Sequence, residues 1–135
     1  MVREIVRDRV FLSMKSDTAD EKDLPAAQDL LDTLRAHADG CIGMAGNMIG
    51  VRKCMLAVGQ PFPQLMLNPE IVQCSGPYEA EEGCLSLDGT RRVLRFKTVE
   101  VRYQDIRWQW HRKTYSGIIA EAIQHEIDHM KGILI

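Results

Sequence analysis

The sequence predicts an α+β fold, and three observations carry that prediction. A chain of 135 residues with 45% hydrophobic residues suits one domain, residues 1–135, whose core is large enough to surround a rigid site. Short strand-like runs occupy the middle of the chain, between Gln64 and Tyr115. A helical pattern closes the chain over residues 116–132. Strands followed by a main helix indicate antiparallel strands packed around a C-terminal helix.

An earlier helix is predicted from Asp23 onward. Asp23 can cap its start, Pro25 suits the first turn, and Gly40 can end it. Its apolar stripe consists of Leu30, Leu31 and Leu34. The segment CIGMAGNMIG, residues 41–50, follows and leads into VRKCMLAV, a buried-strand candidate. Glycine and small residues let the backbone of this segment approach a ligand closely.

Four further patterns indicate antiparallel strands. They are QLMLN before Pro69, EIVQC before SGP, the alternation of Val99, Val101 and Tyr103, and RWQWHRKTY. The basic stretch from Arg91 to Lys97 is interpreted as a solvated strand edge, with a binding patch as the alternative. We expect the last three residues, ILI, to pair as a short strand.

The charge balance excludes several classes of partner. A formal net charge of −2, from 17 basic and 19 acidic residues, leaves no electrostatic footprint for nucleic acid or an anionic membrane. The N-terminal stretch MVREIVRDRVFLSMK has no long apolar run, so we expect neither a signal peptide nor a membrane span there. The prediction is a cytoplasmic protein, in which the four cysteines are thiols or metal ligands: Cys41, Cys54, Cys74 and Cys84.

The C-terminal helix carries the motif HExxH. Ser116 can cap this helix and Gly132 can end it. His125 and His129 are four residues apart, so they lie on one face and can direct both imidazoles at one metal ion. Glu126, beside the first ligand, can act as a general base. The alternative is a helix that carries two partly exposed histidines by chance.

A catalytic site of this kind normally needs a third protein ligand. The extended metzincin pattern, HExxHxxGxxH, would place it ten residues after the first histidine, but Ile135 stands there. The third ligand is therefore expected before His125. Cys84, in the segment EEGCLS, is the best candidate, and the rivals are His37 and His111.

The sequence resembles the peptide deformylase family. Residues 82–86 read EGCLS and residues 124–129 read QHEIDH, in the order of that family's motifs. LNPEI, residues 67–71, and Arg95 also fit, so the resemblance runs from about Leu24 to the end. It implies a peptide-deformylase-like fold and one divalent ion held by Cys84, His125 and His129. The ion typical of this family is Fe²⁺, and Ni²⁺, Co²⁺ or Zn²⁺ often replaces it.

The resemblance also implies a reaction, the hydrolysis of the N-formyl group from the N-terminal methionine of nascent polypeptides, with release of formate. The expected partners are formyl-methionyl peptides and the ribosome. Glu126 would move the proton, while the backbone N–H of Leu85 and a glutamine side chain would stabilise the oxyanion. The residues expected to bind substrate are Ile42, Gly43, Glu82, Gly83, Arg95, Ile118 and Ala122. Glu121 is expected on the solvated side of the helix, with an effect on substrate choice as the alternative.

The first family motif, GxGxAAxQ, is where this sequence departs. Aligned to CIGMAGNMIGV, the motif places Cys41 at its first glycine and Met48 at its glutamine. Met48 has no hydrogen-bond donor, and losing one oxyanion donor costs roughly 10²–10³ in kcat. The neighbouring Asn47 is expected to point elsewhere. Cys41 either fills the space of a glycine or places an oxidisable thiol beside the site.

Two hypotheses follow, and a third ranks last. The first is a metal-dependent deformylase whose activity Met48 reduces. The second is a catalytically impaired, metal-containing protein that binds formylated peptides. The third is a general endoprotease, which the missing zincin extensions make the weakest.

Overall fold

The computed structural model describes residues 1–135, which form three α-helices and five β-strands. The helices are α1 (Arg9–Leu12), α2 (Leu24–Ala36) and α3 (Gly117–Met130). The strands are β1 (Gly43–Ala45), β2 (Met55–Val58), β3 (Gln64–Cys84), β4 (Leu87–Gln104) and β5 (Trp110–Ser116). Two 3₁₀ segments, Glu21–Asp23 and Gly46–Ile49, precede α2 and follow β1. No helix is long and apolar enough to cross a membrane.

The five strands form one antiparallel sheet in the order β1-β2-β3-β4-β5. Each strand pairs with its neighbour along the chain, so no crossover connection is needed. The two runs that the sequence predicted as separate strands around Pro69 belong to β3, a single strand of 21 residues. Pro69 lies where the β3–β4 register shifts, between Leu67 and Glu70. A proline there removes no ladder bond, and the strand continues through the irregularity.

Strand β2 separates two buried apolar clusters. Met55 and Ala57 face the cluster that contains Leu30 and Leu34 of α2. The alternate residues of β2, Leu56 and Val58, face the second cluster, which contains Ile123 of α3. Successive strand side chains point to opposite faces, so α2 and α3 cover opposite faces of β2. The predicted α+β class, with antiparallel strands packed around the C-terminal helix, is confirmed.

The predicted helices are present, but their caps differ. Helix α2 ends at Ala36, before Gly40. The Asp23 side chain accepts from the N–H of Asp20, the residue that caps the preceding 3₁₀ segment. Helix α3 starts after Ser116, whose hydroxyl lies 3.3 Å from that of Thr98 and caps nothing. The predicted end at Gly132 is confirmed.

Gly132 closes α3 with a left-handed turn. Its φ is +78°, and a Cβ at this position would lie 2.4 Å from the carbonyl oxygen of Ser13. The N–H of Ile133 donates to the Asp128 carbonyl at 3.0 Å, and the N–H of Gly132 donates to the His129 carbonyl at 3.0 Å. These two bonds form a Schellman motif, which satisfies carbonyls at the helix end.

One expectation is wrong, and another is confirmed except at one residue. The last three residues form no strand, because their chain turns away after Gly132 and Ile135 is buried at 4% exposure. The stretch Arg91–Lys97 lies in the part of β4 that pairs only with β3, so it is an edge, and Arg92 and Lys97 are exposed. Arg95 in its middle is 4% exposed, however, and points into the protein.

Candidate metal centre and its cavity

Helix α3 places His125 and His129 one turn apart, and both rings are buried. Their Nε2 atoms lie 3.2 Å from each other. The Sγ atom of Cys84, at the end of β3, lies 3.3 Å from Nε2 of His129. The three ligand atoms all lie within 4.8 Å of one another.

The spacing of these three atoms fits a tetrahedral metal ion. With metal–nitrogen distances of about 2.0–2.1 Å and a metal–sulfur distance of about 2.3 Å, tetrahedral angles separate two nitrogens by roughly 3.3 Å and a nitrogen from a sulfur by roughly 3.6 Å. The observed 3.2 and 3.3 Å are close to these values. The donor set, one thiolate and two imidazoles, therefore suits a divalent transition-metal ion.

The two rival ligands lie elsewhere and have their own partners. His37 follows the end of α2, and its Nδ1 lies 2.9 Å from the Thr33 carbonyl. His111 is on β5, where its Nε2 lies 2.7 Å from a carboxylate oxygen of Asp105. Neither imidazole belongs to the metal cluster.

The turn between β3 and β4 positions Cys84. Cys84 pairs with Leu87, so only Leu85 and Ser86 connect the two long strands. The N–H of Ser86 points at Sγ of Cys84 across 3.5 Å. This contact fixes the direction of the Cys84 side chain toward His129.

A buried carboxylate orients His125. Nδ1 of His125 lies 2.8 Å from Oε1 of Glu82, which directs Nε2 toward Cys84 and His129. The guanidinium of Arg95 donates two hydrogen bonds, of 2.9 and 2.7 Å, to the same carboxylate. It donates a third, of 2.7 Å, to Asp128. Burial alone would raise the pKa of Glu82, but the bonds from His125 and Arg95 outweigh it and hold the pKa at about 2.

Glu126 lies beside this centre, 4% exposed, and its Oε1 has no hydrogen-bond partner. Burial raises the pKa of Glu126 to about 7, against the opposing charge of His125. A base with a pKa near neutrality can both accept and return a proton. Gly43 makes room for it, because a Cβ on Gly43 would lie 3.0 Å from Oε2 of Glu126 and 3.4 Å from Cβ of Ala122.

A cavity of about 450 Å³ opens onto Glu126 and His125. Six of the seven residues that the sequence predicted as substrate-binding line it: Ile42, Gly43, Glu82, Gly83, Ile118 and Ala122. Leu85 and Met48 line it as well. Ile118 is 64% exposed and marks the mouth, while the buried His125 and Glu126 lie deep.

The seventh predicted residue, Arg95, does not line the cavity. Its guanidinium is occupied by Glu82 and Asp128 on the far side of Glu82. The prediction that Arg95 lines the cavity was therefore wrong, and Arg95 lies in the layer behind the cavity wall. Its guanidinium bonds to carboxylates on two sides, so it is not free to bind a substrate.

Met48 is 1% exposed, and its Sδ lies 3.5 Å from the N–H of Ala45. The thioether thus occupies an acceptor position against the backbone and offers no donor to the cavity. Asn47 points away, as predicted, and its Nδ2 donates to the His129 carbonyl at 2.9 Å. Asn47 therefore joins the 3₁₀ segment after β1 to the end of α3.

Two other side chains complete the cavity. Sγ of Cys41 donates to the Gly43 carbonyl at 2.9 Å, and burial raises the pKa of this thiol to about 11, so it stays protonated. Glu121 also lines the cavity, with Oε1 accepting from the Tyr78 hydroxyl at 3.1 Å. Glu121 is half-buried, so the expectation that it lies on the solvated side of the helix holds only in part. Its spacing of four from His125 could have revealed this, but nothing in the sequence pointed to Tyr78.

Solved structures share this architecture. A peptide deformylase from Legionella pneumophila superimposes with a TM-score of 0.89 and 31% identity over 99% of this chain and 83% of its own. A peptide deformylase from Thermotoga maritima gives a TM-score of 0.86 and 28% identity over 99% of this chain and 94% of its own. An actinonin-bound peptide deformylase from Acinetobacter baumannii gives 0.88 and 25%, over 99% and 95%.

Sequence relatives agree with these structures. A peptide deformylase of Clostridium beijerinckii is 44% identical over 137 aligned positions, which cover all of both chains. Peptide deformylase 3 of Shewanella oneidensis is 36% identical over 82% of this chain and 73% of its own. The profile of the polypeptide deformylase family matches residues 4–135. The resemblance that EGCLS and QHEIDH indicated is thereby confirmed, and the chain belongs to the polypeptide deformylase family of hydrolases.

Proposed function

We propose that this chain hydrolyses the N-formyl group from the N-terminal methionine of nascent polypeptides and releases formate, with Glu126 as the proton carrier. The observation that carries the proposal is the carboxylate of Glu126. It is buried, has an oxygen without a partner, and lies at the deep end of a cavity beside three convergent metal-ligating atoms. We propose one domain, residues 1–135, as the unit that carries the reaction.

Cys84, His125 and His129 would hold one divalent ion. We propose Fe²⁺ as the native ion, and the same donor set accepts Ni²⁺, Co²⁺ or Zn²⁺. When bound, such an ion polarises a carbonyl oxygen and lowers the pKa of a water molecule. Glu82 keeps His125 in the required tautomer, and Arg95 fixes Glu82 in turn.

Glu126 takes the proton of the attacking water and then delivers it to the departing amine. Its pKa of about 7 suits both halves of this transfer near neutral pH. Gly43 lets the carboxylate stand against the cavity wall, since any side chain there would displace it. Glu126 is itself 4% exposed, so little bulk water reaches its carboxylate.

The oxyanion of the tetrahedral intermediate would receive the N–H of Leu85, in the two-residue turn after Cys84. Met48 contributes no donor, because a thioether has none, and its sulfur accepts from the N–H of Ala45. We therefore propose an activity roughly 10²–10³ below that of a site with the full donor set.

The substrate lies in the cavity between α3 and residues 41–43. Ile42, Ile118 and Ala122 offer apolar surface to the methionine side chain. Gly43 and Gly83 offer backbone without side chains to the extended peptide. We place the reaction in the cytoplasm, at the ribosome, because nascent formyl-methionyl chains emerge there, and we assign no nucleic-acid or membrane contact to the reaction.

The test is release of formate from formyl-Met-Ala-Ser by protein prepared anaerobically with iron or nickel. Glu126→Gln should lower kcat by about 10²–10⁴ and leave the metal content unchanged, because the amide cannot accept the proton. If wild type and Met48→Gln both match Glu126→Gln, the hydrolase proposal fails.

The second candidate is a metal-containing protein that binds formylated peptides without turnover, which the lost donor at Met48 favours. It predicts tight binding of formyl-Met-Ala-Ser by wild type and no formate. Cys84→Ser tests the metal ligands independently of both candidate functions. Its metal content should fall well below one ion per chain. Undiminished metal in Cys84→Ser would refute the ligand set while leaving the assay of formate intact.

A further inference from the structure

The half-buried carboxyl group of Glu121 lies between a hydroxyl group and the carboxylate that orients His125. Tyr78 and Glu82 project from the same face of β3, because they are four residues apart in a stretch whose pairing with β4 has no register shift. The Tyr78 hydroxyl donates to Oε1 of Glu121 at 3.1 Å. The carboxyl groups of Glu121 and Glu82 lie within hydrogen-bonding reach of each other. Glu121 thus contacts the group behind the metal ligand, one helical turn before His125 on α3.

The carboxylate of Glu82 has one acceptor position left for Glu121. Its Oε1 accepts from Nη2 of Arg95 and lies 2.8 Å from Nδ1 of His125. Its Oε2 accepts one hydrogen bond, from Nε of Arg95. A carboxylate offers about four acceptor sites, two on each oxygen, so the remaining site is on Oε2. A donor on Glu121 would complete the hydrogen bonding of Glu82.

Two carboxyl groups in contact repel each other unless a cation or a proton lies between them. The nearby cation, Arg95, is already bonded to Glu82 and Asp128. Glu82 stays ionised because Arg95 and His125 both bond to it. Burial, and then the contact with Glu82, raise the pKa of Glu121. The proton between the two groups therefore belongs to Glu121, which accepts from Tyr78 with one oxygen and can donate with the other.

We propose that Glu121 is a positioning residue, whose carboxyl group donates a hydrogen bond to Oε2 of Glu82 and thereby helps to hold the imidazole of His125 on the metal ion. The inference rests on the metal ligands of the proposed function and adds a residue that takes no part in the proton transfer. A carboxylate bonded at all of its acceptor sites cannot turn away from His125. Groups that orient a ligating histidine from behind strengthen the binding of the metal.

The experiment measures how fast the nickel-loaded protein loses Ni²⁺ to excess EDTA. Glu121→Met keeps the length of the side chain and removes both hydrogen bonds. The rate of nickel loss should then rise about tenfold, the lower end of the effect of losing a partner behind a ligating histidine. Glu121→Gln should stay within about twofold of wild type, because the amide N–H₂ can donate to Glu82 while the amide oxygen accepts from Tyr78.

Glu79→Gln is the matched control, because Glu79 is an exposed carboxylate next to Tyr78 in sequence that lies outside the cavity and pairs with Arg92. It should lose nickel at the wild-type rate. The inference is overturned if Glu121→Met loses nickel as slowly as wild type, or if Glu121→Gln loses it as fast as Glu121→Met. Either result leaves the assay of formate release, and with it the proposed function, unaffected. Wild type that takes up no nickel refutes the proposed metal centre, and this inference with it.

Discussion

The deep end of the cavity and its first wall are held in place by different forces. The deep end, Cys84, His125, Glu126 and His129, depends on hydrogen bonds between charged and polar groups, above all those of Glu82. The first wall, residues 41–49, depends on apolar packing, because Met44, Ala45, Met48 and Ile49 all belong to the core cluster under α2.

The difference explains where the family motif has changed. At the deep end each residue type is required by a specific bond, so a substitution leaves a buried charge or donor without its partner. In the first wall the requirement is volume, as at Gly46, whose Cβ would lie 2.8 Å from Cγ of Met55. A methionine at position 48 satisfies that requirement although it lacks the amide. A substitution at position 48 can therefore change the chemistry of the site while the fold is kept, whereas a substitution of His125 cannot.

The largest effect is expected when the deep end loses Glu82. Glu82→Ala removes the partner of His125 and leaves Arg95 with Asp128 alone. Breaking a buried ion pair costs about 3–5 kcal/mol of the free energy of unfolding, and loss of the carboxylate behind a ligating histidine weakens metal binding about 10–100-fold. Urea unfolding and metal titration measure both.

The control for that change is Glu79→Ala, which breaks an exposed pair with Arg92 and should cost less than about 1 kcal/mol. Equal effects of the two substitutions would show that the deep end does not depend on its buried pair.

The next effect is a gain, in the first wall. Met48→Gln should raise kcat by about 10²-fold, because the amide oxygen can take the place of Sδ at the Ala45 N–H and leave the amide N–H₂ free to donate to the oxyanion. Met48→Leu, which fills similar volume without a donor, should not raise kcat. A steady-state assay of formate release distinguishes them, and equal rates for both variants would show that a donor at position 48 does not raise activity.

A smaller effect on kcat is expected when a side chain in the first wall crowds Glu126. Gly43→Ala places a methyl group 3.0 Å from Oε2 of Glu126, so the carboxylate must shift by a few tenths of an ångström. Misplacing a catalytic group by this much should lower kcat about tenfold. Gly40→Ala, where an added Cβ meets nothing within 4 Å, is the control and should change kcat less than about twofold.

The smallest effect on turnover is expected at Asn47, which bonds the first wall to the deep end. Asn47→Ala removes the donor to the His129 carbonyl and should cost about 1–2 kcal/mol of stability, while kcat changes little. Asn47→Asp should cost more, because a carboxylate would then face that carbonyl. Thermal unfolding of the metal-loaded protein measures both, and a large loss of kcat in Asn47→Ala would mean that the two regions are coupled more tightly than their contacts indicate.

Much of the site could be predicted because its signals are local. The spacing of His125 and His129 follows from helix periodicity, and EGCLS places Cys84 and Leu85 in one short segment. The strand prediction failed at Pro69 for a local reason as well, since a proline normally ends a ladder and here lies in a register shift.

The residues that sequence reasoning misplaced are those whose environment comes from distant parts of the chain. Arg95 was expected in the cavity and lies behind Glu82, because the β3–β4 register and the docking of Asp128 decide where its guanidinium goes. Glu121 was expected in solvent and faces the cavity, because Tyr78, 43 residues earlier, lies opposite it.

Sequence alone was enough to predict the α+β class, the helix with two histidines on one face, the absence of a donor at Met48, and Cys84 as the best third ligand. Tertiary structure was needed to establish that Sγ of Cys84 lies 3.3 Å from His129, that Glu82 and Arg95 hold His125, and that Glu121 lines the cavity. Helix periodicity and residue chemistry are local, because they depend on residues a few positions apart in the chain. Distances between side chains depend instead on strand register and on how α3 packs against the sheet.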